Sequence, residues 1–190
     1  MFAEVETALA APKAAGRPRL RRLVDELAEM AAQTPSVADQ CYASQARLLA
    51  HIEEYEQALV AVEKALLLMP MDDGLLILRG DIHRAADEYS RALHDYTQVL
   101  KVRPDSVTAR MRRAELRQAR GKFAEALADV NAALLVEPRS VRLLYRRGLI
   151  LIDLGRATEA QVDFQSVARL GLDGELKQKA LKRLRELGNR

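Results

Sequence analysis

The sequence predicts an all-α protein built as a solenoid of antiparallel helix pairs, and three observations carry that expectation. Pro70, Pro104 and Pro138 stand 34 residues apart, and Ala58, Ala92, Ala126 and Ala160 keep the same step, as do Leu66, Leu100 and Leu134. Small residues recur at a second phase (Ala46, Gly80, Ala114, Gly148) and aromatics at a third (Tyr55, Tyr89, Phe123). No stretch alternates apolar and polar residues over the length of a strand. A fixed period of this length marks a stack of similar supersecondary units, because no unit that small buries its apolar face alone.

Residues 2–11 are expected to form a short helix with Phe2, Val5 and Leu9 on one face. The segment from Pro12 to Pro18, with Gly16 inside it, should break that helix. From Arg19 the chain turns helical again, with Leu20, Leu23, Val24, Leu27 and Met30 as its apolar stripe. One period before Pro70 lies Ser36, beside Pro35, so residues 1–38 read as a degenerate unit capping the N-terminal side. Four units follow, 39–72, 73–106, 107–140 and 141–172. Each holds two amphipathic stretches around a short break, such as Arg120-Gly121-Lys122 or Leu154-Gly155-Arg156. Glycine just past a helix end supplies a left-handed cap, and proline after the second helix stops it. After Phe123, the residues Ala126, Leu127, Val130, Leu134 and Leu135 recur at helical spacing and are expected to make one buried stripe. Residues 173–190 close the array with a basic capping helix. Leu176, Ala180, Leu184 and Leu187 line its inner face, and Lys177, Lys179, Lys182, Arg183 and Arg185 the outer one.

Composition narrows the function classes. Almost half of the chain is apolar but aromatics are few, and a single cysteine, Cys41, rules out an internal disulfide and fits a reducing compartment. Glu4 and Glu6 occupy the place of a secretory signal's basic segment, and no window approaches the ~20 apolar residues of a membrane helix. A soluble, cytoplasmic protein is expected. His51, His83 and His94 include no pair at a spacing of three or four, so no two share a helical face as metal ligands. His94 adjoins Asp95, but neighbours in a helix do not face each other. His83 falls at a packing phase, and Cys41 reads as a small packed thiol. There is no glycine-rich phosphate loop and no paired-cysteine motif. The expectation is a protein that is not an enzyme, with no cofactor and no metal.

The repeats also report on each other. Arg79, Arg113 and Arg147 share one phase of the first helix, and Asp95, Asp129 and Asp163 share one phase of the second. The first unit carries Gln45 and Ala61 there, so it lacks both members together. That pattern predicts the ion pairs Arg79–Asp95, Arg113–Asp129 and Arg147–Asp163 within units, each worth ~0.2–1 kcal/mol if exposed.

The fourth unit reads Leu144-Tyr145-Arg146-Arg147-Gly148, Leu154-Gly155-Arg156, Glu159-Ala160 and Phe164; the third carries Gly121-Lys122-Phe123, Glu125-Ala126-Leu127 and Glu137-Pro138. This pattern resembles the tetratricopeptide repeat family over residues 39 to about 172. It departs from the family at Arg110 and Arg117, where bulky apolar or aromatic residues are usual, and at Leu172, where a fourth proline would stand. The resemblance implies a right-handed α-solenoid whose first helices line a concave groove for a segment of a partner protein. Carried onto this chain, the groove positions are Ser44, Arg47 and His51, then Ile77, Leu78, Asp81 and Arg84. Unit three gives Met111, Arg112 and Glu115, and unit four Arg142, Tyr145, Arg146 and Leu149. Leu75-Leu76-Ile77-Leu78 is apolar right around the helix, so Ile77 and Leu78 are expected to join Met111 and Tyr145 in an apolar strip beside Arg112, Arg142 and Arg146. Such a strip suits a protein or peptide partner with apolar anchors and carboxylates.

Some family members clamp a chaperone's terminal carboxylate with lysine, asparagine and arginine. Those phases hold Ala43, Arg47, Leu78, Thr108 and Arg112 in units one to three, and Ile77, Asp81, Arg112, Arg142 and Arg146 in units two to four. The complete clamp is absent. The second function class is nucleic acid or an acidic membrane surface, bound through Arg17, Arg19, Arg21 and Arg22 and the C-terminal helix, given a formal charge of +3. It ranks behind, because those clusters lie at opposite ends of the array and Tyr55, Tyr89 and Phe123 are expected to be buried instead of stacking on bases. Caps at both ends favour a monomer, with the N-terminal arm as the route to a homo-oligomer.

Overall fold

The computed structural model describes residues 1–10, 16–170 and 174–188, so the expectations at Pro12 and Leu172 lie outside the described residues. The described residues form eleven α-helices, one 3-10 turn and no strand. The N-terminal helices are α1 (Phe2–Leu9) and α2 (Arg17–Gln33), and the turn Pro35–Val37 leads into the pairs. These are α3 (Ala38–His51) with α4 (Tyr55–Leu68), α5 (Asp73–Ala85) with α6 (Tyr89–Val102), α7 (Val107–Ala119) with α8 (Phe123–Val136), and α9 (Val141–Asp153) with α10 (Ala157–Leu170). The last helix is α11 (Glu175–Gly188). Helix α2 starts at Arg17 with Pro18 inside its first turn, where proline's missing N–H has no intrahelical acceptor to lose. The expected break at Pro18 is therefore a helix start. In α1 the buried residues are Val5 and Ala8, and Phe2 and Leu9 are half-buried.

The chain forms two compact units, residues 1–99 and 100–190. In the first, α3 packs against α2 on one side and α4 on the other, and α4 carries α5. Leu27, Cys41, Ala46, Leu48, Ala58 and Val62 are buried here. The buried Gln45 side chain donates to the Val24 carbonyl at 2.8 Å, tying α3 to α2 where the other repeats have an arginine. In the second unit α7, α8, α9, α10 and α11 pack in chain order around Val130, Leu143, Ile150, Phe164 and Ala180.

Helix pairs close by matched sizes. A Cβ added at Gly80 would lie 2.6 Å from Tyr96 Cε1, and one at Gly148 would lie 2.6 Å from Phe164 Cε1. Ala46 and Ala114 sit at the glycine phase of the other two units, and Val62 and Val130 at the phase of Tyr96 and Phe164. Glycine thus meets an aromatic in units two and four, and alanine meets valine in units one and three. Tyr96 and Phe164 are the fully buried aromatics, whereas Tyr55, Tyr89 and Phe123, expected inside, are half-buried. Each of those three is the first residue of its second helix.

The turns between paired helices repeat one backbone device. Gly121 and Gly155 have φ of +71° and +72°, and at the same phase Glu53 and Asp87 have φ of +68° and +61°. The left-handed residue lets the chain reverse over a short break. Units one and two place a side chain at this position, which costs Cβ strain. Asp72 and Ser106 cap α5 and α7, accepting from Leu75 N at 2.8 Å and Ala109 N at 3.3 Å.

Candidate functional site: the exposed face of the first helices

The three predicted charge pairs are present, and they are not surface pairs. Arg79 donates through Nε and Nη2 to Asp95 at 2.9 and 2.6 Å, Arg113 to Asp129 at 2.9 and 2.6 Å, and Arg147 to Asp163 at 2.8 and 2.7 Å. All three carboxylates are buried, so these fork-to-fork bonds stand in a poorly solvated place. The Asp95 bond holds the Arg79 guanidinium above its ordinary pKa, and the Asp163 bond does so for Arg147. Arg117, a departure from the family pattern, adds a bond to Asp129 at 2.7 Å. Removing one of these carboxylates would take the buried partner from a half-buried guanidinium. These residues lock helix pairs and thereby fix which face each first helix presents.

Residues 1–99 place Arg47, Ile77, Leu78 and Asp81 around one cleft of about 370 Å³, together with Ala43 and Leu75. Ile77 and Leu78 are half-buried while Leu75 and Leu76 are buried, so the all-round apolar helix divides into a packed side and a cleft side. The charged rim is already engaged. Arg47 pairs with Glu6 of α1 at 2.5 and 3.2 Å, holding the Glu6 carboxyl below its usual range. Asp81 accepts from the Tyr96 hydroxyl at 2.7 Å and lies 4.0 Å from Arg84. Burial pushes the Tyr96 phenol well above its ordinary value, so it acts there as a donor. Ser44, expected in the groove, is buried.

Residues 100–190 correct the remaining groove expectations. Met111 is 4% exposed and sits in the core with Leu143 and Leu144; it floors a cleft of about 200 Å³ beneath Thr108, Arg112 and Arg142 instead of standing in an open strip. Tyr145 is half-buried against Phe164, with ring centroids 5.7 Å apart, and its hydroxyl is a partner of Arg183 on α11. Leu149 packs against the same core. The arginine cluster is largely neutralised: Glu115 accepts from Arg146 at 2.8 Å and from Arg112 at 3.4 Å. Arg146 also reaches Gln118 at 3.4 Å, which donates to Asp153 at 2.6 Å. Arg142 is exposed. This polar ladder between α7 and α9 escaped sequence reasoning. Its signal was an acid, Glu115, with an arginine one repeat later and three residues out of step, Arg146.

A wider cleft, about 650 Å³, lies at the turns of units one and two among Glu53, Glu54, Tyr55, Glu56, Asp87 and Glu88. Three of these acids are engaged by named groups: Arg21 on Glu54, the Tyr89 hydroxyl on Asp87, and Arg91 and His83 on Glu88. His83 is buried, with Nδ1 2.6 Å from Glu88 and Nε2 3.9 Å from Asp95. Burial pushes the Cys41 thiol up. No group of three or more His, Cys, Asp or Glu among the described residues could hold a metal ion, and none of their helices is long and apolar enough to cross a membrane. Of the basic ends, Arg17 donates to the Ile52 carbonyl at 3.2 Å, and α11 pairs Lys179 with Glu175 and Arg183 with Glu186.

Repeated helix pairs with buried arginine–aspartate locks define a helical-repeat protein. The chain belongs to the tetratricopeptide repeat family, whose model matches residues 77–117 and 111–171, together half of its length. No curated protein sequence matches it. Among solved structures, a tetratricopeptide repeat protein from Parabacteroides merdae is 22% identical with a TM-score of 0.66, over 88% of this chain and 61% of that one. YrrB, described as a TPR protein with an unusual peptide-binding site, is 18% identical with a TM-score of 0.66, over 88% of this chain and 86% of its own. The first TPR of Spaghetti (RPAP3), bound to the HSP90 peptide SRMEEVD, is 24% identical with a TM-score of 0.56, over 62% and 90%. At these identities the likeness is one of fold, an all-α solenoid of helix pairs.

Proposed function

We propose that this protein is a non-enzymatic interaction scaffold that holds a segment of a partner protein on the exposed face of its first helices. The cleft of Ala43, Leu75, Ile77 and Leu78 between α3 and α5 carries this reading: it is apolar in its floor and charged at its rim, and from behind α5 is held by Arg79–Asp95 and α3 by Gln45. Two of the structural neighbours are described with a bound peptide or a peptide-binding site, which supports the same use of the fold. The partner supplies an apolar anchor for this cleft. A carboxylate on it displaces Glu6 from Arg47 at the rim of the same cleft. A preformed face spares the scaffold the entropy of ordering on binding. The intracellular setting expected from the lone cysteine agrees with this role.

The test compares wild type with Ile77→Asp and Arg47→Glu variants in affinity capture from source-cell extract, with melting temperature as the fold control. A protein retained by wild type and lost by both folded variants is the expected result. Identical retained sets would end the reading. Because the lysine/asparagine/arginine clamp is absent, the peptide SRMEEVD should show no saturable binding, as read by fluorescence anisotropy.

A further inference from the structure

The two compact units carry opposite charge. Residues 1–99 hold ten Lys and Arg against sixteen Asp and Glu, a formal −6. Residues 100–190 hold twenty against eleven, a formal +9. Each unit also exposes large apolar side chains at the same phase of a second helix: Leu67 is 81% and Leu135 85% exposed, beside Leu68 and Val136. Leu135 was expected inside, as part of the α8 stripe. Neither leucine serves the repeat itself, because units two and four put Lys101 and Arg169 at that phase. Around Leu67 the surface is apolar with an acidic rim. Val60, Met69 and Met71 are exposed with it, and the exposed acids Glu56, Glu63 and Asp72 outnumber the one base of α4, Lys64, which lies over the Tyr42 ring. At the Leu135 phase of the second unit and just beyond it the balance is basic, with Lys101, Arg103, Arg139 and Arg169 exposed against Asp105 and Glu137.

We infer that these two faces bind each other between copies, the acidic-rimmed α4 face of one molecule docking on the basic-rimmed α8 face of the next. Apolar residues at both centres provide the burial, and rims of opposite sign set the polarity and the encounter rate. A contact between two different patches is heterologous, so every bound copy leaves one α4 face and one α8 face open unless a ring closes. The inference is independent of the partner cleft, which uses the first helices.

Sedimentation velocity of the full chain, over a concentration series at about 50 mM and about 500 mM NaCl, tests it by screening the rims. At low salt the weight-average mass should climb above the 21.2 kDa monomer with concentration, and at high salt it should fall back. Leu67→Lys and Leu135→Arg copy the residues of units two and four, so both should fold, and each should weaken association about ten-fold or more. Two charge-reversed variants, Glu56→Lys with Glu63→Lys and Lys101→Glu with Arg139→Glu, should each be monomeric alone and associate when mixed. A wild type that stays monomeric at low salt overturns the inference. So does loss of association in only one of the two leucine variants, which means a symmetric contact. Nucleic acid held by the basic unit, with no self-association, overturns it as well.

Discussion

At the scale of single residues, position 53 and its equivalents separate backbone need from side-chain use. The turn requires positive φ; Gly121 and Gly155 meet it freely, and Glu53 and Asp87 meet it under strain. Glu53→Gly should therefore raise stability by up to about 1 kcal/mol in urea unfolding, the relief of strain being partly offset by a freer unfolded chain. Asp87→Gly should gain less, because aspartate tolerates this region better and Asp87 accepts the Tyr89 hydroxyl bond. In a Tyr89→Phe background, which lacks that bond, Asp87→Gly should gain more, and an unchanged gain would show that the bond contributes nothing. Glycine at the turns of units three and four was legible from the sequence, and the same phase numbers point to Glu53 and Asp87. The side-chain engagements of Arg47 and Arg146 were not legible, since each depends on an acid from another helix at a spacing that no single period reveals.

At the scale of helix pairs, two independent locks hold first helix to second: matched sizes in all four units and a buried ion pair in units two to four. The size lock predicts a coupling. Gly80→Ala should cost about 1–3 kcal/mol by driving a methyl into Tyr96. Tyr96→Val in the same chain should recover part of that loss, because Ala46 with Val62 already makes this combination in unit one. The double-mutant cycle reads the coupling directly, and strictly additive costs would contradict the lock. The ion-pair lock predicts about 3–5 kcal/mol lost in Asp129→Ala, which removes the buried carboxylate that Arg113 and Arg117 both bond. The pairing itself followed from the joint absence of both partners in unit one. The burial of its carboxylates did not, because burial depends on how closely the helices approach, and small residues at positions 46, 80, 114 and 148 set that distance.

At the scale of the whole molecule, the repeat period made the fold class legible and left the use of the surface open. Of the groove positions carried over from the family, Arg47, Ile77, Leu78 and Asp81 line one cleft, whereas Met111 is buried. Met111 and Tyr145 occupy the same phase as Ile77, yet Met111 sinks into the second unit's core while Tyr145 stays half-buried against Phe164. Equal phase does not mean equal exposure when neighbouring elements differ. The division of charge was countable in the sequence, and it gained meaning only when the compact units showed where to divide the count.

The most direct test of the scaffold account is site-specific photo-crosslinking in source cells, with the reactive residue placed in turn at Leu78, at Leu67 and at the exposed Gln165 on α10. The account predicts a discrete adduct with another protein from Leu78, an adduct with a second copy of this chain from Leu67, and neither from Gln165. Absence of any adduct from Leu78, or the same adducts from Gln165, would contradict the claim that the first-helix face is where this protein holds its partner.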